Sequence, residues 1–243
     1  MSDLEMVLEA NKTQFHKLVD YDPLKQKLFQ FDFSEFNKEI TAEEIADTPR
    51  FSRYIDNKLK NNNAAYGIGG YLENRVLYKR SSLFNHPATD GSPTTLFNED
   101  SAESRTIHLG IDIWGPAKTP VYLPVNGVVH SFAFNDHFGD YGATIIMQHQ
   151  LNGYTFYTLY GHVSLADLDH LQAGQPFTSG ETIAHFGEPF ENGNWPPHLH
   201  FQLICDMESR QGDYPGVCTP SETANYARNC PNPDIVLNMI RYV

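Results

Sequence analysis

The decapeptide NWPPHLHFQL, residues 194–203, sets His198 and His200 one residue apart. Pro196 and Pro197 forbid helix just before them and mark the start of a strand. On a strand, side chains at i and i+2 share a face, with Cα atoms about 6.5–7 Å apart. Two imidazoles so placed can serve one metal ion, or one can bind metal while its neighbour handles a proton. HLGID, residues 108–112, adds a histidine and a carboxylate. On a regular strand His108 and Asp112 would stand about 13 Å apart, too far to share an ion. The glycine and the following WGP argue against a helix. A loop or a bent strand entry remains, with Gly110 supplying the kink. LYGH ends on His162, just after Gly161 at the close of an expected strand.

Two neutral imidazoles and one carboxylate make a three-ligand zinc site whose fourth position is open to water, the arrangement of a catalytic zinc. The ion brings the pKa of that water toward about 7 and polarises a scissile carbonyl. Further imidazoles beside it can take the proton and stabilise an oxyanion. Four histidines and one aspartate therefore cover every role. His130, His149 and His185 fall in other expected strands, where a hydrogen-bonded structural imidazole is the expectation.

The elements that must hold these groups change character along the chain. The first part reads as helical. TAEE at 41–44 is a capping box, and Pro49 opens a helix with Phe51, Tyr54, Ile55 and Leu59 on one apolar face. YGIGGY at 66–71 reads as a turn. From Arg105, β-branched and aromatic runs are separated by turn residues, and Asn152-Gly153 signals a hairpin. The expected organisation is a helical N-terminal region over 1–85, a linker over 86–104, a β domain over 105–205, and a packed tail with a short closing helix over 206–243. The N-terminal region is expected to pack against or over the groove, because its apolar face needs a surface to cover.

The motifs His108-Leu-Gly-Ile-Asp112, TLYGHVS around His162, and His198-Leu-His200 stand in the order and spacing of a known family. The chain over roughly 105–205 resembles the LytM/lysostaphin-type zinc metallopeptidases, mostly bacterial peptidoglycan endopeptidases. The resemblance implies a mainly β fold, a two-layer antiparallel sheet of the duplicated hybrid motif type, here with the helical N-terminal region and helical tail. It implies one Zn2+ per chain held by His108, Asp112 and His200, with His162 and His198 flanking the water and the oxyanion. It implies a zinc endopeptidase acting on peptides or peptidoglycan fragments through a metal-activated water. The alternative it carries is a non-catalytic zinc-containing binding or regulatory module. Lys118 departs from the family pattern, standing where a glycine is usual before TPV.

Composition narrows the partners. The formal charge of −13 disfavours nucleic acid and anionic membrane surfaces. No apolar run approaches the roughly 20 residues of a membrane span. The N-terminus lacks the pattern of a secretory signal, so the expected location is cytoplasmic. Cys205, Cys218 and Cys230 match no zinc-ribbon or CxxC spacing and are expected to be free thiols. Oligomeric state is left open.

Overall fold

A computed structural model describes residues 1–85 and 103–243. Residues 86–102 of the expected linker lie outside the described residues. The N-terminal part carries helix α1 (Asp3–Asn11), strand β1 (Lys27–Phe31), helices α2 (Ala42–Ala46) and α3 (Thr48–Asn61), and strand β2 (Ala64–Gly69). The strands that follow are β3 (Ile107–His108), β4 (Ile111–Trp114), β5 (Pro120–Tyr122), β6 (Gly127–Asn135), β7 (Gly142–Leu151) and β8 (Tyr154–Val163). They continue with β9 (Pro176–Phe177), β10 (Thr182–His185), β11 (His198–Ile204) and β12 (Val217–Cys218). Short helices α4 (Thr223–Asn229) and α5 (Asp234–Leu237) close the chain.

Eight strands form one sheet in the order β1-β2-β4-β11-β8-β7-β6-β9. Every pairing in it is antiparallel except β1 with β2. The fold is mainly β, as expected. The hairpin β7–β8 turns on Asn152 and Gly153, both at positive φ (49° and 86°), the geometry a two-residue hairpin demands. A second, small sheet pairs β10 with β5. Val121, Ile183 and Ala184 from that pair share one core with Ile111, Ile113, Leu199 and Phe201 of the large sheet. This core fixes the register, because a slip of one residue would turn those side chains out and the histidines in.

Helix α2 carries the expected Thr41–Glu44 capping box, and α3 starts on Asp47 with Pro49 in its first turn. Phe51, Ile55 and Leu59 of α3 are buried against Phe31, Phe33, Trp114 and Trp195. Burying a ring such as Phe51 contributes roughly 1.5–3 kcal/mol, which is what docks the N-terminal region onto the sheet.

Two expectations need correction. YGIGGY is not a turn up to Gly69, because Ala64–Gly69 is β2, paired with β1 on one side and with β4 on the other. Its glycines hid it from a pattern built on side chains. A Cβ on Gly67 would stand 2.1 Å from the Phe31 ring, so this strand is bare in order that aromatic groups can lie on it. The limits expected at 85 and 205 also cut across the sheets. β1 and β2 from the N-terminal region extend the large sheet, and β12 from the tail pairs with β3. In the rest of the tail, Val236, Leu237 and Met239 are buried in the main core. All three cysteines are free thiols. Among the described residues no helix is long and apolar enough to cross a membrane.

Candidate metal centre

Strand register builds the centre. On one side β11 sets His200 opposite Asp112 and His198 opposite Trp114 of β4. On its other side β11 sets His200 opposite Gly161 of β8, so His162 follows at the next position. Leu199 and Phe201 point into the core, leaving His198 and His200 together on the other face. His108 arrives differently. The chain breaks between β3 and β4 at Leu109-Gly110, with β3 braced by β12 and β4 held in the large sheet. That break brings the His108 Nε2 to 3.2 Å from Asp112 Oδ1, where a straight strand would have kept them apart. A Cβ on Gly110 would meet the His200 ring at 2.5 Å, so this glycine also makes room for a candidate ligand.

His108 Nε2, Asp112 Oδ1 and His200 Nδ1 converge. The two ring nitrogens are 2.9 Å apart, and His200 Nδ1 is 3.2 Å from the carboxylate oxygen. Donors about 2.0–2.1 Å from a tetrahedral zinc lie roughly 3.3 Å from one another, so the set fits within a few tenths of an ångström. Each donor's other polar atom is already engaged. His108 Nδ1 donates to the Gly70 carbonyl at 2.9 Å, and His200 Nε2 donates to Gln202 Oε1 at 2.9 Å. Asp112 Oδ2 accepts from Arg75 Nη1. These bonds fix both tautomers and leave one free donor atom per residue facing inward, the arrangement that outer partners of a metal ligand produce.

His162 and His198 stand beside this trio. His198 lies flat on Trp114, with ring centroids 3.9 Å apart, and its Nδ1 donates to the Pro196 carbonyl at 2.8 Å. His162 Nδ1 donates to the Asn192 carbonyl at 2.9 Å. Both therefore present a bare Nε2, and their rings are 4.2 Å apart. His198 Nε2 is 4.0 Å from Asp112 Oδ1. His162 sits at φ 64°, a left-handed conformation unusual outside glycine. Tyr141 O accepts from its N–H, and its own carbonyl accepts from Gly187, so backbone on both sides holds it there.

All five groups are between 1% and 6% exposed. Burial pushes His198 down to about 4 and His162 well below its ordinary value, so both are neutral at pH 7. His108 falls to about 3 through burial and the Arg75 charge. Burial alone would raise Asp112, but His108 and Arg75 outweigh it and hold the carboxyl well below the usual range. A cavity of about 20 Å³ sits at the centre between Asp112, His162, His198 and His200, large enough for about one water. A larger one of about 210 Å³ reaches His162 and His200 from the side of Arg105, Asp140, Asp213 and Tyr214.

The family model of peptidase family M23 matches residues 106–211. This stretch contains all five groups. Over this segment, less than half of the chain, the protein is similar to peptidase family M23. No curated protein matches the chain. Among solved structures, a zinc-containing peptidase from Vibrio cholerae is 23% identical over 49% of this chain and 36% of its own, with a TM-score of 0.33. A variant catalytic domain of the prophage-encoded M23 protein EnpA from Enterococcus faecalis is 20% identical over 58% of this chain and 92% of its own (TM-score 0.35). The catalytic domain of lysostaphin from Staphylococcus simulans is 17% identical over 72% of this chain and 97% of its own (TM-score 0.36). The chain thus spans about a third of the Vibrio protein and nearly all of the other two domains.

Several groups around this centre were not singled out from the sequence. Gly70, Arg75 and Tyr78 come from before the matched segment, and the Tyr78 ring is 6.4 Å from that of His108. The Tyr141 hydroxyl lies 3.4 Å from His200 Nε2. Gln202 alone had a signal, because it continues the polar alternation of His198 and His200 on one strand face. Lys118 does occupy a glycine's conformation, at φ 66°.

Proposed function

We propose that the chain is a zinc-dependent endopeptidase that hydrolyses peptide bonds in peptidoglycan-type peptides or cross-bridges. One observation carries the reading. Three donor atoms converge at tetrahedral spacing while each donor residue's spare atom is tied elsewhere, and two neutral imidazoles face the same point. A bound zinc ion supplies Lewis acidity, lowering the pKa of a water and polarising the scissile carbonyl. His162 and His198 present bare Nε2 atoms, so either can act as the base. One takes a proton from water, and only then has an N–H with which to steady the oxyanion and protonate the leaving amine. The larger cavity beside His162 and His200 gives a peptide its approach.

The −13 charge supports soluble muropeptides or short peptides as substrates over intact anionic wall polymers. An intracellular pool of such fragments fits that preference. Near-complete burial of the five groups favours a second reading, a zinc-holding module without turnover. Metal analysis coupled to a turnover assay on muropeptides and glycine-rich peptides separates the two. About one zinc per chain with turnover is expected; zinc without turnover on any peptide leaves the module.

A further inference from the structure

Arg75 is 1% exposed and lies outside the segment matched to the peptidase family. Its backbone N–H donates to Thr106 O at 2.8 Å, anchoring it beside the chain that leads into His108. Its Nε donates to Glu73 Oε2 at 2.6 Å, and Glu73 Oε1 in turn accepts from Phe33 N at 2.9 Å. The guanidinium lies over the Phe33 ring at 5.7 Å. A Cβ on Gly69 would stand 2.6 Å from Nη2, so the bare strand β2 gives the fork its place. The remaining edge reaches Asp112 Oδ2 through Nη1.

We infer that Arg75 is a positioning residue for the metal centre, holding Oδ2 of Asp112 so that the carboxylate offers Oδ1 alone to the ion. The inference rests on the metal-binding reading above. A carboxylate with both oxygens free can bind an ion through either or both, and can rotate between them. Here the rigid fork removes those choices, because Glu73 and Phe33 fix the plane from which Nη1 reaches Oδ2. Oδ1 is then the only carboxylate atom left for the point shared by His108 Nε2 and His200 Nδ1. The Arg75 charge by itself opposes a cation, and Glu73 offsets it. Geometry and charge therefore pull in opposite directions, and a substitution that keeps the charge separates them.

Arg75→Lys keeps the cation but cannot bridge Glu73 and Asp112 as a planar fork. Zinc affinity measured by competition with a chromogenic chelator should fall about 10- to 100-fold in this variant, the scale for losing an outer partner of a ligand. The visible spectrum of the cobalt-substituted protein should shift from the intense four-coordinate type toward the weaker five-coordinate type as the carboxylate turns bidentate. Glu73→Gln, which leaves Asp112 its cation, should move both readouts the same way and serves if Arg75→Lys does not fold. A merely structural role would lower thermal stability and leave zinc affinity and cobalt spectrum unchanged in the folded protein. That outcome, or a rise in affinity in Arg75→Lys, overturns the inference. Failure of the wild-type protein to bind zinc would instead overturn the metal-binding reading itself.

Discussion

Gly110→Ala puts a single methyl group where the centre has no room. The new Cβ would stand 2.5 Å from His200 Cε1, 2.6 Å from its Nε2 and 2.8 Å from the Phe201 carbonyl oxygen. Carbon atoms pack at about 3.5–4.0 Å, so something must retreat by about 1 Å. The Phe201 carbonyl belongs to β11, which is paired on both sides, so the backbone cannot supply that movement cheaply. The imidazole must yield, although its crowded Nε2 is held by Gln202 Oε1 at 2.9 Å. A shift of this size is about half of a zinc–nitrogen bond of about 2.0–2.1 Å, enough to take Nδ1 away from the proposed ion. Overpacking should lower stability by about 1–3 kcal/mol, a drop of roughly 2–12 °C in melting temperature at this size. Zinc affinity should fall at least about tenfold, read by chelator competition. Gly153→Ala is the control: nothing lies within 4 Å of its Cβ and φ is 86°. It should cost about 1 kcal/mol in backbone strain and leave zinc binding unchanged. Wild-type zinc affinity in Gly110→Ala would refute the steric account of this glycine.

Asp112→Ala and His200→Ala should lose zinc by elemental analysis, and retention at full occupancy in both would overturn the ligand set. His162→Ala and His198→Ala should keep zinc and lose at least about a hundredfold in turnover; metal loss in His198→Ala would make that imidazole a ligand. His149, buried and bonded to the Asn126 carbonyl and Thr158 hydroxyl, is pushed by burial from 6.5 down to about 4. Its contribution to stability is complete above about pH 6.5 and is lost as pH falls toward 4, by about 3 kcal/mol in all. Denaturant titrations from pH 7 to 4 should show a shallower decline in His149→Gln, and parallel curves would count against it. A chain starting near residue 95 lacks Gly70 and Arg75, so it should bind zinc more weakly than the full chain; equal affinity would show that the N-terminal region is dispensable to the centre.

What could be read from the sequence was what side-chain patterns record. The β7–β8 hairpin followed from Asn152-Gly153, and α3 from its cap and its apolar face. His198 and His200 shared a face because a strand has a period of two. His108 and Asp112 needed a break, and Gly110 marked where it falls. β2 was missed because its glycines carry no pattern, although their bareness is what lets Phe31 and Arg75 lie against the strand. Arg75 and Gly70 were missed for a different reason. Their contacts with Asp112 and His108 join positions 37 and 38 residues apart, and one of them is made by a backbone carbonyl, which leaves no mark on residue type.

The motifs therefore name the groups that can hold an ion, but the atoms those groups offer are decided elsewhere. An imidazole has two nitrogens and a carboxylate two oxygens, so a trio of such residues admits eight choices of donor atoms. Gly70, Arg75 and Gln202 each remove one alternative, leaving a single combination. Two of these three selectors precede residue 106, where the match to the peptidase family begins. β12, which braces the strand of His108, comes from beyond residue 211, where that match ends. The working unit is consequently wider than the family segment. β1 and β2, which join the same sheet, bring Glu73 and Arg75 to Asp112, and the tail steadies His108 from the opposite side. A substitution in those flanks can act on the centre without touching any of its five inward-facing groups.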